Sequence, residues 1–290
     1  MLFKLYGRSR EYLGDYTKKI HLLVNKKNVI ITFKVVRVMT IAEIHGKIPE
    51  YEGMEDLLTS DVFSTFKYLP FDLAFLPFLK RAVSFATGET MSYLCDDVIK
   101  TDFIFWPKTS FLKREPDLLI LLTLLDKPPI SIVVEAKYRS GKSNVKRDHD
   151  LSEMQLFKGD QLAEQYFELI TGNFKIDQSL KERLMNSRKR LLLFVTAHNA
   201  IPKEATNETM KILRNQGFTE ENLKNLYWVN WQAAWNIARE ALNNNRSMNY
   251  SYKLMLEDLK ILLERKRLSS FNGFQKPICN EQLKEFYFWR

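Results

Sequence analysis

Two short apolar runs stand out in the hydropathy pattern, Leu118–Leu125 and Ile130–Val134, joined through Asp126-Lys127-Pro128-Pro129. Both are bounded by turn residues, so the pattern predicts two buried strands of a hairpin. A helical period precedes them. Leu58, Val62, Phe66 and Leu69 recur on one face and predict a helix over Glu55–Leu69, stopped by Pro70. A second helix is expected over Leu73–Ala86, ending before Gly88, followed by a strand over Thr101–Trp106. Beyond the hairpin, Asp160 is placed to cap a helix over Gln161–Ile170, with Gly172 past its end and Leu162, Tyr166, Leu169 and Ile170 as its buried side. Arg190–Ala197 reads as another buried strand after a charged helix-like stretch, Gln178–Lys189. Leu226–Asn230 reads as a short strand. Trp231–Leu242 and Tyr250–Arg267 read as helices separated by an asparagine-rich break at Asn243–Asn245. Trp231 and Trp235, one turn apart, are core residues in this reading and not a base-stacking platform.

The order is thus helix, strand, hairpin, helix, strand. It predicts an α/β fold with a central sheet flanked by helices and a mainly helical C-terminal extension from about residue 232. Absence of repeats or a low-complexity linker favours one domain over 39–290 with a basic N-terminal extension, 1–38, carrying a β-like run at Val29–Val36. That extension has an alternative explanation. Lys34-Val35-Val36 back-translates to a purine-rich ribosome-binding sequence just before Met39, so translation from Met39 is one expectation. The aromatic ending Phe286-Tyr287-Phe288-Trp289 is expected to dock on the body or on a second subunit.

Polar residues at one end of the hairpin break the apolar pattern. Folding about Asp126-Lys127 brings Asp117 opposite the segment Glu135-Ala136-Lys137, and strand alternation turns Glu135 and Lys137 to one face and Ala136 to the other. Charges at the end of buried strands are costly unless paired or bound to a metal. The cluster is therefore either a site or a structural ion pair of Lys137 with Asp117 or Glu135. Glu55 lies one turn before Leu58 on the apolar stripe, and its bland reading is an exposed first-turn acid favoured by the helix dipole. Gln161 and Gln165, four apart, share a second face of their helix.

Composition changes the picture modestly. The 290 residues are 45% hydrophobic and 13% aromatic, enough for one substantial core. Two cysteines, Cys95 and Cys279, lack the spacing of a zinc knuckle or a disulfide framework. No apolar run approaches a membrane span and no secretory core is visible, so a cytoplasmic protein is expected, without membrane partners. Four histidines show no metal-ligand or catalytic spacing. The net charge of +9 suits a polyanionic partner, nucleic acid first. Part of that charge sits in the loop Tyr138–Arg147, where Arg139, Lys142, Lys146 and Arg147 follow Lys137 and are candidate phosphate contacts. Its Gly141-Lys142-Ser143 is no phosphate loop, because the preceding glycine and the strand–loop–helix context are missing.

Pro116-Asp117, followed across an apolar hairpin by Glu135-Ala136-Lys137, resembles the signature of the PD-(D/E)xK nuclease superfamily, which includes many restriction endonucleases. The resemblance covers roughly Met39 to Ala197 and implies a restriction-endonuclease-like core of order αβββαβ. It also implies a Mg²⁺-dependent deoxyribonuclease, with Mn²⁺ able to substitute. Asp117, Glu135 and the Ala136 carbonyl would hold the metal, Lys137 would act beside the phosphate, and Glu55 and Gln161 would assist. Glu55 would serve as a further metal ligand or water-orienting group. Asp160–Tyr166 is similar to the glutamine motif of the RecB-like branch, but Tyr166 falls five positions after Gln161 instead of four, which leaves Gln161 and Gln165 as alternatives. The expected setting is DNA cleavage in prokaryotic restriction or antiviral defence, as a homodimer or with other defence subunits where both strands are cut. Recombination or repair is the second setting, and a catalytically silent DNA-binding protein on the same fold is the rival from another class.

Overall fold

A computed structural model of the chain describes residues 22–25, 28–31, 55–94, 96–138, 157, 159–245 and 247–270. The chain divides into two compact units, Met1–Met39 and Thr40–Arg290. In the first, β1 (Leu22–Asn25) and β2 (Asn28–Ile31) form an antiparallel hairpin, shorter than the predicted run; 32–36 lie outside the described residues.

The second unit holds a six-stranded mixed sheet flanked by helices, an α/β architecture. Its helices are α1 (Glu55–Tyr68), α2 (Phe75–Leu79), α3 (Gln161–Thr171), α4 (Gln178–Met185), α5 (Lys203–Asn215), α6 (Glu220–Leu223), α7 (Gln232–Asn244) and α8 (Tyr250–Arg265). Its strands are β3 (Val83–Ser84), β4 (Val98–Phe105), β5 (Leu118–Leu124), β6 (Lys127–Lys137), β7 (Lys189–Thr196) and β8 (Leu226–Asn230), in the spatial order β3-β8-β7-β6-β5-β4. Strands β4, β5 and β6 run antiparallel to one another; β6, β7 and β8 are parallel. Parallel neighbours need a crossover, and α3–α4 and α5–α6 supply the two.

Alternation along the central strands builds two cores. Leu118, Ile120, Ile132, Val134, Ala136, Leu191 and Leu193 pack with the apolar faces of α1, α7 and α8. Leu119, Leu121, Val133, Leu192 and Phe194 pack against Leu162, Tyr166 and Leu169 of α3 and Leu213 of α5. Each fully buried aliphatic or aromatic side chain contributes about 1.5–3 kcal/mol. The strands therefore have no freedom to slip by one residue without expelling both cores.

Four local expectations need correction. The stretch Leu73–Ala86 is not one helix. α2 spans only Phe75–Leu79, and Val83–Ser84 pairs with Trp228 and Tyr227 at the sheet edge. Gly88, with φ +74°, closes the turn of that small hairpin, where its N–H donates to the Ser84 carbonyl. The pull of an open sheet edge has overridden the helical pattern. Second, the β5–β6 turn lies at Leu125-Asp126, and Pro128-Pro129 belong to β6. They sit where the β5–β6 register shifts and before the β7 ladder begins at Ile130, so their missing N–H groups cost no ladder bonds. Third, the strand read as Thr101–Trp106 starts earlier, at Val98, and stops before Trp106, whose φ is +46°. Fourth, α5 and α6 had no counterpart in the pattern reading. α5 is polar on average and buries threonines, Thr206 and Thr209, among its apolar contacts.

Candidate active site

The β5–β6 register pairs Leu118 with Val134, which puts Asp117 and the segment 135–137 at one end of the sheet. The Asp117 carbonyl accepts from Trp106 N–H at 2.9 Å, so β4 reaches the same end. Gln165, Glu135, Lys137 and Glu55 then form a chain of side-chain contacts, and Asp117 is tied beside it through the backbone. Asp117 Oδ2 accepts from the Ala136 N–H at 2.7 Å. Glu135 Oε1 lies 2.6 Å from Lys137 Nζ, and Glu135 Oε2 accepts from Gln165 Nε2 at 2.5 Å. Lys137 Nζ also donates to Glu55 Oε1 at 2.9 Å, while Glu55 Oε2 accepts from the Tyr138 N–H at 2.9 Å. The Lys137 carbonyl is held by Trp231 Nε1 at 3.1 Å.

Depth is as informative as distance. Asp117, Glu135 and Lys137 are 7%, 2% and 8% exposed, and Gln165 is fully buried. The Glu55 side chain is 22% exposed, so the cluster meets solvent at the start of α1. Burial, reinforced by the charge of Glu135, pushes Asp117 well above the ordinary carboxylate range; the Ala136 N–H and Lys137 oppose this only in part. Burial likewise raises Glu135 despite its contacts with Lys137 and Gln165. For Lys137 burial acts downward, yet Glu135 and Glu55 outweigh it and hold the amine protonated.

Sequence reasoning placed Asp117, Glu135, Lys137 and Glu55 in one cluster, and the structure brings all four together. Ala136 contributes its N–H to Asp117, and its side chain lies in the core on the opposite face, as alternation required. Glu55 joins through Lys137. It is not merely an exposed first-turn acid. Of the two glutamines, Gln165 reaches Glu135; Gln161 is the half-buried first residue of α3. Arg139, Lys142, Lys146 and Arg147 lie outside the described residues, as does the aromatic C-terminus. Trp231 and Trp235 are buried core residues, as expected, though Trp231 also braces the Lys137 carbonyl. That contact joins residues 94 positions apart, and no local pattern announces it.

The chain matches no family model, no curated protein and no solved structure.

Among the described residues no three of His, Cys, Asp and Glu converge as a ready ligand group, because Lys137 Nζ stands between Glu55 and Glu135. The chemistry of the donors nevertheless suits a hard divalent cation. Asp117 and Glu135 are hard oxygen donors whose ionised forms are penalised by burial, that of Asp117 also by the charge of Glu135, a penalty that a cation relieves. Beside them the buried Gln165 Oε1 has no hydrogen-bond partner among the described residues. It is an acceptor left available at the edge of the acid pair.

Proposed function

We propose that this chain is a Mg²⁺-dependent nuclease that hydrolyses DNA phosphodiester bonds on a PD-(D/E)xK-type, restriction-endonuclease-like core. The observation carrying this reading is the buried set in which Asp117 is tied to Ala136 N–H while Glu135 is tied to Lys137 and Gln165. Titratable groups with shifted pKa values cluster at functional sites, and these are buried together at the end of rigid strands. With α2 and β3 inserted before β4, and α4 before β7, the elements α1, β4, β5, β6, α3, β7 also follow the αβββαβ order that the resemblance implies.

In this reading Asp117, Glu135 and the Ala136 carbonyl would hold Mg²⁺, with Mn²⁺ as a substitute. When bound, the metal polarises a phosphate oxygen and lowers the pKa of water. The chain's own residues do the rest. Gln165 fixes the orientation of the Glu135 carboxylate. Glu55 and Glu135 keep Lys137 charged and aim its amine at the place where negative charge builds on the phosphate. Trp231 and the Tyr138 N–H set the backbone that carries Lys137 and its partner Glu55. Defence against foreign DNA is the setting we favour for such an activity, with repair as the alternative.

One observation favours a second reading. Lys137 is already neutralised twice over, by Glu55 and Glu135, as expected of a structural ion network in a non-catalytic DNA-binding protein. Incubation of the purified protein with supercoiled, linear and single-stranded DNA, with Mg²⁺ and with chelator, separates the two. Chelator-sensitive cleavage supports the nuclease; DNA binding without cleavage under Mg²⁺ or Mn²⁺ supports the network reading.

A further inference from the structure

Between β4 and β5 the chain makes a tight loop, and its start and end lie at the sheet end that carries Asp117. Thr109 closes the loop on itself. Its hydroxyl donates to the Arg114 carbonyl at 3.0 Å and accepts from the Arg114 N–H at 2.8 Å. Helix α3 then clamps the loop from outside. Arg114 Nε pairs with the buried Glu164, and Glu168 Oε1 accepts from Leu112 N–H at 2.5 Å. The segment after α3 adds a third fastening, because Lys175 N–H donates to the Lys108 carbonyl and Ser110 N–H to the Asn173 carbonyl, both at 2.8 Å. Lys113 is held at φ +52°, a conformation that an ordinary side chain adopts only when its surroundings over-determine it.

This rigid frame borders a cleft of about 330 Å³ lined by Lys108, Thr109, Lys113, Arg114, Glu115 and Lys175. Arg114 is neutralised by Glu164. Lys108, Lys113 and Lys175 are exposed, and among the described residues none has a carboxylate within salt-bridge distance. Three uncompensated cations against one acid, Glu115, give the cleft a net positive charge. A pocket for a small molecule is mostly apolar and encloses its ligand; this one is open and cationic, which suits the charged backbone of a polymer. Its lining ends at Glu115, two residues before Asp117.

We propose that this cleft anchors DNA backbone phosphates beside the bond to be cut, with Lys108, Lys113 and Lys175 as the contacts. The proposal rests on the nuclease reading for its substrate and concerns binding, so it is tested without catalysis. DNA affinity in chelator is measured against salt concentration for the wild type and for Lys108→Ala/Lys113→Ala/Lys175→Ala. A control, Lys181→Ala/Lys211→Ala/Lys253→Ala, removes the same charge from α4, α5 and α8, away from the cleft. The expected result is that the slope of log affinity against log salt falls by about 0.9 per lysine in duplex and about 0.7 in single-stranded DNA. The control keeps the wild-type slope, and both variants melt like the wild type. A cleft variant indistinguishable from the control, or a wild type that binds no DNA, overturns the proposal. Cleavage by the wild type together with an unchanged slope in the cleft variant removes the anchor alone. A lowered slope in a protein that never cleaves with Mg²⁺ or Mn²⁺ supports the anchor and removes the nuclease reading.

Discussion

Lys137 Nζ lies 2.9 Å from Glu55 Oε1, joining residues 82 positions apart, and 2.6 Å from Glu135 Oε1. One amine thus fastens the first turn of α1 to the end of β6, and it does so almost out of solvent, at 9% side-chain exposure. Ion pairs at this depth gain little over an apolar replacement, but stripping away one partner leaves a bare buried charge. Lys137→Met is therefore expected to destabilise the protein by about 3–5 kcal/mol. Adding Glu135→Gln, which removes the stranded charge, is expected to recover most of that loss. Urea unfolding of the two single variants and the double variant gives the coupling directly, and additive effects would contradict the arrangement.

Asp117 makes a separate prediction about pH. Its carboxyl is raised by burial and then by the charge of Glu135, and Glu135 is raised by burial too. A raised acid binds its proton more tightly in the folded chain than in the unfolded one. Stability is thus lost as pH climbs from the ordinary carboxylate range through the folded value. The raised Lys137 acts elsewhere, its contribution being full below the usual lysine range and lost only in strong alkali. Asp117→Asn keeps an acceptor for the Ala136 N–H and carries no charge. In chelator it is expected to melt higher than the wild type at neutral pH, by about 2–4 °C per kcal/mol relieved, and to lose stability less steeply as pH rises above the ordinary carboxylate range. Mn²⁺ or Ca²⁺ should raise the melting temperature of the wild type and leave the variant unchanged. Parallel melting curves for both proteins, with and without metal, would refute this.

The choice between the glutamines is testable by activity. Gln165 donates to Glu135 from a fully buried position, and outer partners of this kind typically tune metal affinity or rate by about 10–100-fold. Gln165→Ala is expected to lower the cleavage rate by that amount and to weaken Mn²⁺ binding in calorimetry. Gln161→Ala is expected to have the smaller effect of the two. The reverse order of effects would return the role to Gln161.

Much of this architecture was legible in the chain because burial leaves a period. The runs around Ile120 and Val133 are apolar but for Thr123 and Ser131, as strands covered on both faces tend to be, and the stripe through Leu58, Val62 and Phe66 falls at helical spacing. Alternation alone carried Glu135 and Lys137 to one side of β6. What stayed hidden depends on partners distant in sequence. Val83–Ser84 becomes a strand because β8 offers an open edge far along the chain (Ser84 against Tyr227 and Val83 against Trp228 fix the register). Gln161 and Gln165 look equivalent until α3 is docked, and its packing then buries one of them more deeply. Helix α5 escaped because it buries Thr206 and Thr209, which a hydropathy pattern counts as polar; the Thr209 hydroxyl is satisfied by the Asp160 carboxylate that caps α3, a partner distant in sequence.

The most direct test is nicking of supercoiled plasmid by wild type and by Glu135→Ala, compared at equal folded fraction in Mg²⁺ and in chelator. The arrangement of Asp117, Glu135 and Lys137 predicts Mg²⁺-dependent nicking by the wild type and none above background for Glu135→Ala. Full activity in the purified Glu135→Ala protein, or cleavage that continues unchanged in chelator, would contradict it.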